Sequence, residues 1–191
     1  NIGGGLSAGK QAYETSVAKR AIQRAGKNKN LHGYVNEILT VDKHNLNPVY
    51  MIKGEKAFLT KSPTAVRDDV IVKATKTGKV IKRMQLKDTT SKSGIRDTAK
   101  KVKNHHYKGT ILMGTKETAK KYAEKVSKDP SIKQKMHSNG ISSDYTKLIA
   151  EKFAGTNAKG TGKRIAKESA KTGLGGATFT AGIEAVKAGL D

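Results

Sequence analysis

Apolar residues recur at helical spacing in two segments near the start of the chain. In the first they repeat every three or four positions over residues 14–25, and in the second over residues 31–39. A repeat of about 3.6 residues places such side chains on one face of a helix, so both segments predict amphipathic helices. The Gly-rich residues 1–10 predict a flexible N-terminus ahead of them.

The middle of the chain changes to the pattern of a sheet. Residues 56–60 predict a short strand. The β-rich runs 69–74 and 79–87 flank a Thr-Gly turn signal, which predicts an antiparallel hairpin. Such a hairpin needs helices or further strands to cover its apolar face.

Helical and strand patterns then alternate. Residues 95–104 predict a helix, residues 109–114 a short buried strand, and residues 115–128 a Lys-rich helix. A helix-start signal at residues 142–144 predicts another helix over 145–153. This order predicts the α/β class, with a small mixed central sheet and flanking helices. We divide the chain into a flexible N-terminus with a basic helix (1–30), an α/β core (31–130), and a helical extension with a Gly/Ala-rich tail (131–191).

The charge points to a polyanionic partner. Against 16 Asp and Glu stand 38 Lys and Arg, a formal net charge of +22. Each basic side chain that reaches a phosphate releases counterions, so the charge alone favours binding to nucleic acid. The absence of Cys excludes disulfides and thiolate chemistry. No apolar stretch reaches about 18 residues, so no integral membrane span is expected in this chain.

The predicted hairpin brings together side chains that suit a divalent cation. Asp69 starts its first strand, and Gln85 and Lys87 end the second, where alternation puts both on one face. Because the turn folds the strands back, we expect Asp69 and Gln85 to lie close together. Carboxylate and carbonyl oxygens bind Mg²⁺ or Mn²⁺, and a lysine can position the water that the metal acidifies. The pattern therefore predicts metal-assisted hydrolysis of phosphodiester bonds.

Asp69, the hairpin and the Gln85-x-Lys87 triplet resemble the motif of the PD-(D/E)xK nuclease superfamily, which includes restriction-endonuclease-like and Holliday-junction-resolvase-like proteins. The segment with Gly33 and Glu37 is similar to the helix in which resolvase-like members carry a Gly four residues before a metal-side Glu. The order of predicted elements also matches the layout of that family.

The resemblance covers residues 31–126 and implies a restriction-endonuclease-like core. It implies that Glu37, Asp69 and Gln85 hold Mg²⁺ or Mn²⁺ and that Lys87 orients the attacking water. These four are the candidate catalytic residues. The implied activity is endonucleolytic cleavage of DNA with low sequence specificity, and the choice between DNA and RNA stays open.

One position departs from the family pattern. Gln85 is a neutral amide where the family has Asp or Glu, so the site carries one negative charge fewer. An amide carbonyl still ligates a hard cation, although more weakly than a carboxylate. Alternation turns the neighbouring acids Asp68 and Asp88 away from the site, so neither is expected to replace the missing carboxylate.

Basic residues cluster in sequence around the predicted site. We expect them to grip the phosphate backbone rather than to read bases. The candidate nucleic-acid-binding residues are Lys82, Arg83, Lys92, Arg96, Lys100, Lys101 and Lys103.

Two other functional classes of protein remain open. A non-catalytic nucleic-acid-binding protein on the same fold would explain the charge, with Gln85 marking a lost metal site. A basic structural or membrane-surface protein would make its contact through the Gly/Ala-rich residues 173–190.

The start of the chain at Asn rather than Met suggests a fragment or a processed product. By family habit, a basic nuclease of this kind suits the toxin end of a larger secreted bacterial protein, or a mobile-element protein. Such a toxin acts in the cytoplasm and has an acidic immunity or inhibitor protein as its partner.

Overall fold

The computed structural model describes residues 2–25, 30–61 and 68–153. The helices in these ranges are α1 (Ile2–Ala25), α2 (Leu31–Leu46), α3 (Pro48–Lys53), α4 (Lys92–Lys103), α5 (Lys116–Val126) and α6 (Ser143–Phe153). The strands are β1 (Glu55–Leu59), β2 (Val70–Ala74), β3 (Val80–Lys87), β4 (Ile111–Gly114) and β5 (His137–Ser138). The α/β class predicted from the sequence is confirmed.

The described strands form one mixed sheet in the order β1-β2-β3-β4-β5. The first three are antiparallel neighbours, whereas β4 is parallel to β3 and β5 is parallel to β4. The predicted hairpin is confirmed, and its turn contains Gly78 at φ +68°, which Gly adopts without strain. Val70 pairs with Met84 in the hairpin register, so Asp69, one residue before β2, stands beside Gln85.

Helices cover both faces of the sheet. On one face, α1, α2 and α6 share a hydrophobic cluster, and Val41 of α2 packs against the sheet cluster that contains Met84. On the other face, α4 and α5 pack with Tyr107 and Leu112. Leu112 is paired with Gln85 across the parallel strands, so Gln85 faces the α4–α5 side. Met84 and Gln85 therefore mark the two faces of the sheet.

The connection from β3 into α4 depends on a close approach of the backbone. The Ser91 hydroxyl accepts a hydrogen bond from the Gly94 amide at 3.0 Å and caps the first turn of α4. A Cβ at Gly94 would lie 2.0 Å from the Thr89 hydroxyl oxygen, which no side chain tolerates. Gly94 thus lets α4 begin within a few residues of the end of β3, beside the predicted site.

The N-terminal segment differs from the prediction. Residues 2–10, predicted to be flexible, form the first turns of α1. Val17, Ala18 and Ala21 are buried against α2 and α6, and Glu14 is fully buried beside Lys10 and Lys152. Once packing fixes this part of α1, extending the helix costs only about 1 kcal/mol for each Gly, so the Gly-rich turns continue it.

Three further differences concern short or interrupted patterns. Helix α2 continues to Leu46 rather than ending near Leu39, because Val41 extends its buried face towards the sheet. Helix α3 and strand β5 were not predicted. Strand β5 has two exposed polar residues, which carry no alternation to detect. The end of the predicted helical extension, with the Gly/Ala-rich residues 173–190, lies outside the described residues.

Among the helices described, none combines the length and the apolar character needed to cross a membrane.

Candidate active site

The start of β2 and the end of β3 bring Asp69 and Gln85 into contact, as the hairpin predicts. The Gln85 amide nitrogen donates to Asp69 Oδ2 at 2.7 Å, and the Leu86 backbone amide donates to the same oxygen at 2.8 Å. Asp69 is only 7% exposed and Gln85 only 5%. The Asp69 carboxyl is therefore held in one orientation by the strand that carries the rest of the triplet.

Glu37 joins this pair from α2. Its Oε2 accepts from Arg24 Nε at 2.6 Å, and its carboxyl lies close enough to Asp69 for the two groups to affect each other's pKa. Burial, together with the charge of Asp69, raises the pKa of Glu37 to about 7, although Arg24 opposes this effect. Burial also raises the pKa of Asp69. Two buried carboxyls that interact in this way are stabilised when one of them binds a proton or when a cation lies beside them.

Lys87 supplies the ammonium group on the same face as Gln85. Its Nζ lies 4.9 Å from the centroid of the Tyr107 ring, within cation–π distance. Burial lowers the pKa of Lys87, while the charges of Asp69 and Glu37 act in the opposite direction. The structure thus brings Glu37, Asp69, Gln85 and Lys87 together at one end of the hairpin.

Two residues of this site were missed by the sequence reasoning. Arg24 lies seven residues after Val17 and three after Ala21, so it continues the buried stripe of α1, and a charge on that stripe was a usable signal. It also donates to the Thr60 carbonyl at 2.6 Å, joining α1 to the end of β1. Tyr107 follows α4 in a turn, where no periodicity marks it.

A buried acceptor atom makes the site suitable for a cation. Because the Gln85 amide nitrogen donates to Asp69, its carbonyl oxygen points elsewhere, and no hydrogen-bond partner for that buried Oε1 is found within the described ranges. A buried acceptor without a donor is costly, and a hard cation would satisfy it. The donor set of two carboxyls and one amide oxygen fits Mg²⁺ or Mn²⁺.

The composition of this donor set also explains why the site lacks a typical cluster of metal-binding side chains. In the part of the chain that the structure describes, no three His, Cys, Asp or Glu side chains are grouped so that they could hold a metal ion. The candidate site has only two such residues, Glu37 and Asp69, and its third oxygen comes from an amide. Any cation held here would depend on a weaker third ligand.

The two neighbouring acids are engaged by other groups. Asp68 pairs with Arg83 at 2.7 Å. The side chain of Asp88 is fully buried and accepts from Ser143 Oγ at 2.8 Å, and it lies 3.0 Å from His32 Nδ1. Asp88 therefore joins β3 to α2 and α6 and makes no contact with the cluster around Asp69.

Most candidate nucleic-acid-binding residues lie on α4. Lys92, Arg96, Lys100, Lys101 and Lys103 are all exposed. A groove of about 360 Å³ lies between α4 and the end of α5 and is lined by basic side chains from both sides: Arg96, Lys100, Lys103, Lys125 and Lys128.

Two members of the predicted basic set depart from that arrangement. Lys82 lies on the opposite face of the sheet from Gln85 and lines another cavity, because strand residues alternate between faces. Arg83 is engaged by Asp68. Lys82 and Arg83 were predicted to act with the basic residues of α4 because they lie near them in the sequence. The alternation of side chains along β3 places Lys82 on the opposite face of the sheet.

Comparison of the chain with protein-family models, with curated proteins and with solved structures finds no match.

The raised pKa of Glu37 predicts how stability depends on pH. Between about pH 4.5 and 7 the folded state binds more protons at Glu37 than the unfolded state does, so the free energy of unfolding falls as pH rises. We expect Glu37 to contribute a loss of about 2 kcal/mol across this window in EDTA. Urea unfolding of wild type and Glu37→Gln at several pH values measures it, since Gln has no proton to lose.

The exposed Glu124 provides the control, because Glu124→Gln should keep the wild-type pH dependence. Equal slopes for wild type and Glu37→Gln would contradict the raised pKa.

Proposed function

We propose that the chain is a divalent-metal-dependent nuclease that hydrolyses DNA phosphodiester bonds with low sequence specificity. One observation carries this proposal. Two buried carboxyls and an ammonium group lie at one end of the β2–β3 hairpin, next to Gln85, whose buried carbonyl oxygen has no donor among the described residues. Hydrolysis of a phosphodiester needs these parts, because charge must be offset and a water must be positioned.

Glu37, Asp69 and the Gln85 carbonyl are the residues that would hold Mg²⁺ or Mn²⁺. When bound, such an ion offsets phosphate charge and acidifies a water. The Lys87 ammonium then orients a water or a phosphate oxygen by donating a hydrogen bond. The Tyr107 ring holds that ammonium in place, and the Gln85 amide fixes the Asp69 carboxyl. Each reactive side chain is thus positioned by a second group.

The order of elements supports membership of the PD-(D/E)xK superfamily and a restriction-endonuclease-like core. Helix α2 carries the Glu, β1 follows, β2 and β3 carry the Asp and the triplet, and α4, β4 and α5 complete the order. That is the order which the resemblance implies for residues 31–126. Helices α1 and α6, from the predicted extensions, pack on α2.

A non-catalytic DNA-binding protein is the second candidate, and a specific contact favours it. Arg24 already neutralises Glu37 through a nearly buried ion pair at 2.6 Å. With Gln85 neutral as well, the site attracts a divalent cation less strongly than three carboxylates would. This candidate predicts DNA binding that is insensitive to EDTA, without cleavage.

Incubation with supercoiled plasmid separates the two candidates. The nuclease should convert the plasmid to nicked and linear forms in Mg²⁺ or Mn²⁺, and EDTA should stop the reaction. Mobility-shift binding to the same plasmid in EDTA serves as the control for a folded protein. A protein that binds the plasmid but leaves it intact in both metals contradicts the nuclease proposal.

The groove between α4 and α5 supports a phosphate-binding role for the basic set, and its contribution can be measured. We expect replacement of Arg96, Lys100 and Lys103 by Gln to lower the salt dependence of DNA binding by about two to three in log–log slope. Each cation that is removed lowers the number of counterions released when the protein binds DNA. Fluorescence anisotropy with duplex DNA in EDTA, at several salt concentrations, gives the slope.

A triple Gln variant at Lys56, Lys76 and Lys79 removes the same charge at exposed positions near the other end of the sheet. An equal change of slope in this variant would mean that binding follows net charge and not the groove.

A further inference from the structure

A second cavity lies on the opposite face of the sheet from Gln85 and Lys87. Its volume is about 320 Å³, within the usual range of small-molecule sites. Met84, Ile111 and Met113 supply an apolar wall from β3 and β4, and α2 closes the other side with Lys43 and His44. Both α2 side chains are more than nine-tenths buried, and both leave hydrogen-bonding capacity unused.

Lys43 is a buried cation without a counter-charge. It is 5% exposed, and its ammonium donates to the Asn139 carbonyl, while no carboxylate in the described ranges pairs with it. Burial lowers the pKa of Lys43, and the nearby Lys116 adds to that effect. A buried ammonium of this kind is stabilised by an anion that enters the cavity. Lys82, on the wall of the same cavity, supplies a second positive charge.

His44 presents an unused acceptor. Asn45 Oδ1 accepts from the Ala57 amide at 2.8 Å, and Asn45 Nδ2 donates to the Ala57 carbonyl at 2.9 Å, which fixes the orientation of that amide. His44 Nδ1, at 3.3 Å from the same Oδ1, must therefore be the donor. Nε2 of the neutral ring is then an acceptor, and it is buried without a partner among the described residues.

An aromatic pair completes the cavity. The His44 and Tyr50 rings are stacked with centroids 4.0 Å apart and planes 12° apart, and both line the cavity. Lys82 Nζ lies 5.6 Å from the centroid of the Tyr50 ring, so the cation stands beside the aromatic wall. The cavity thus offers apolar and aromatic surface, the unused acceptor of His44, and two cations.

We propose that this cavity binds a nucleoside monophosphate. The base would pack against the methionine and tyrosine side chains, one of its N–H groups would donate to His44 Nε2, and the phosphate would face Lys43 and Lys82. A fatty acid or a simple aromatic carboxylate offers the anion but no N–H donor, and a nucleoside offers the donor but no anion. The nucleotide can be free or can belong to a nucleic-acid strand, and the site stands independently of the nuclease proposal.

Calorimetric titration of the full chain with adenosine, guanosine, cytidine and uridine 5′-monophosphates in EDTA tests this site. At least one should bind about tenfold or more tightly than its own nucleoside and than inorganic phosphate, because each of these lacks half of the contacts. Competition by a 5′-phosphorylated trinucleotide would identify a strand as the source of the nucleotide, and lack of competition would identify the free mononucleotide. Both results support the site.

Two variants identify the cavity as the place of binding. Lys82→Met removes the less buried cation, and His44→Phe keeps the ring stack but removes the acceptor. Each should weaken nucleotide binding about tenfold, and Lys79→Met, at the exposed hairpin turn, should not. Circular dichroism checks that the variants fold. The proposal is wrong if no monophosphate binds more tightly than phosphate, or if folded Lys82→Met and His44→Phe bind as the wild type does.

Discussion

Replacement of Asp69 by Asn should reduce metal-dependent DNA cleavage by about a thousandfold. Asn keeps the size of the side chain but removes the charge that a divalent cation needs at the centre of the site. The Gln85 amide and the Leu86 amide both donate to Asp69 Oδ2, and the Asn carbonyl oxygen can still accept both, so the substitution tests the charge. Initial rates of plasmid nicking, measured at equal concentrations of folded protein, give the ratio.

The adjacent acid is a matched control for this substitution. Asp68→Asn removes one carboxylate at the next position, where the side chain pairs with Arg83 at 2.7 Å. We expect its cleavage rate to stay within a few-fold of wild type, because this carboxylate is engaged by Arg83. Equal rates for Asp69→Asn and Asp68→Asn would contradict the assignment of Asp69.

Lys87 can be tested in the same assay. Lys87→Met retains the aliphatic stem against Tyr107 and removes the ammonium, so we expect a loss of about a hundredfold. Lys79→Met, at the other end of the same hairpin, removes an exposed ammonium and should cleave normally. Unchanged cleavage by Lys87→Met would mean that the ammonium takes no part in the reaction.

Replacement of Asp88 by Ala should have the largest effect on stability, a loss of about 3 to 5 kcal/mol in the free energy of unfolding. The Asp88 carboxylate has no exposure and accepts from Ser143 and Thr146 of α6, beside His32 of α2. Its removal leaves these buried hydroxyls without their acceptor and loosens α6 from the end of β3. Urea unfolding at neutral pH measures the change.

Asp97 offers the comparison for that substitution, because its side chain is 66% exposed and its ion pair with Arg96 spans 3.8 Å. We expect Asp97→Ala to change stability by less than about 0.5 kcal/mol. Asp88→Asn, which keeps acceptor capacity but not the charge, should fall between the two. A loss below about 1 kcal/mol for Asp88→Ala would show that the network contributes little.

The sequence predicts the part of the site that alternation controls. A hairpin turn at Gly78 and strict strand alternation are enough to bring Asp69 beside Gln85 and to put Lys87 on the same face. Glu37 reaches them from a different element, and only the family resemblance pointed to it. The hydrophobic pattern of a helix or strand predicts which of its faces is buried. Contacts between two such elements depend on how they pack, and the pattern of one element does not contain that information.

The contacts missed by the sequence reasoning are of that second kind. The Arg24–Glu37 ion pair joins two helices, although the buried stripe of α1 gave a hint of it. Tyr107 lies in a turn without periodicity, and its role depends on how the chain after α4 returns beneath Lys87. The buried polar residues Lys43 and His44 broke the apolar pattern of α2, so the helix was predicted to end too early.

The most direct test of the central claim is a crystal structure of the wild-type protein soaked in Mn²⁺, with anomalous scattering recorded from the metal. We predict a peak in contact with the carboxylate oxygens of Glu37 and Asp69 and the Gln85 carbonyl oxygen, at about 2.2 Å. The proposed metal site is wrong if the anomalous signal of Mn²⁺ lies elsewhere, or is absent, while Arg24 still pairs with Glu37 and the Gln85 oxygen stays without a partner.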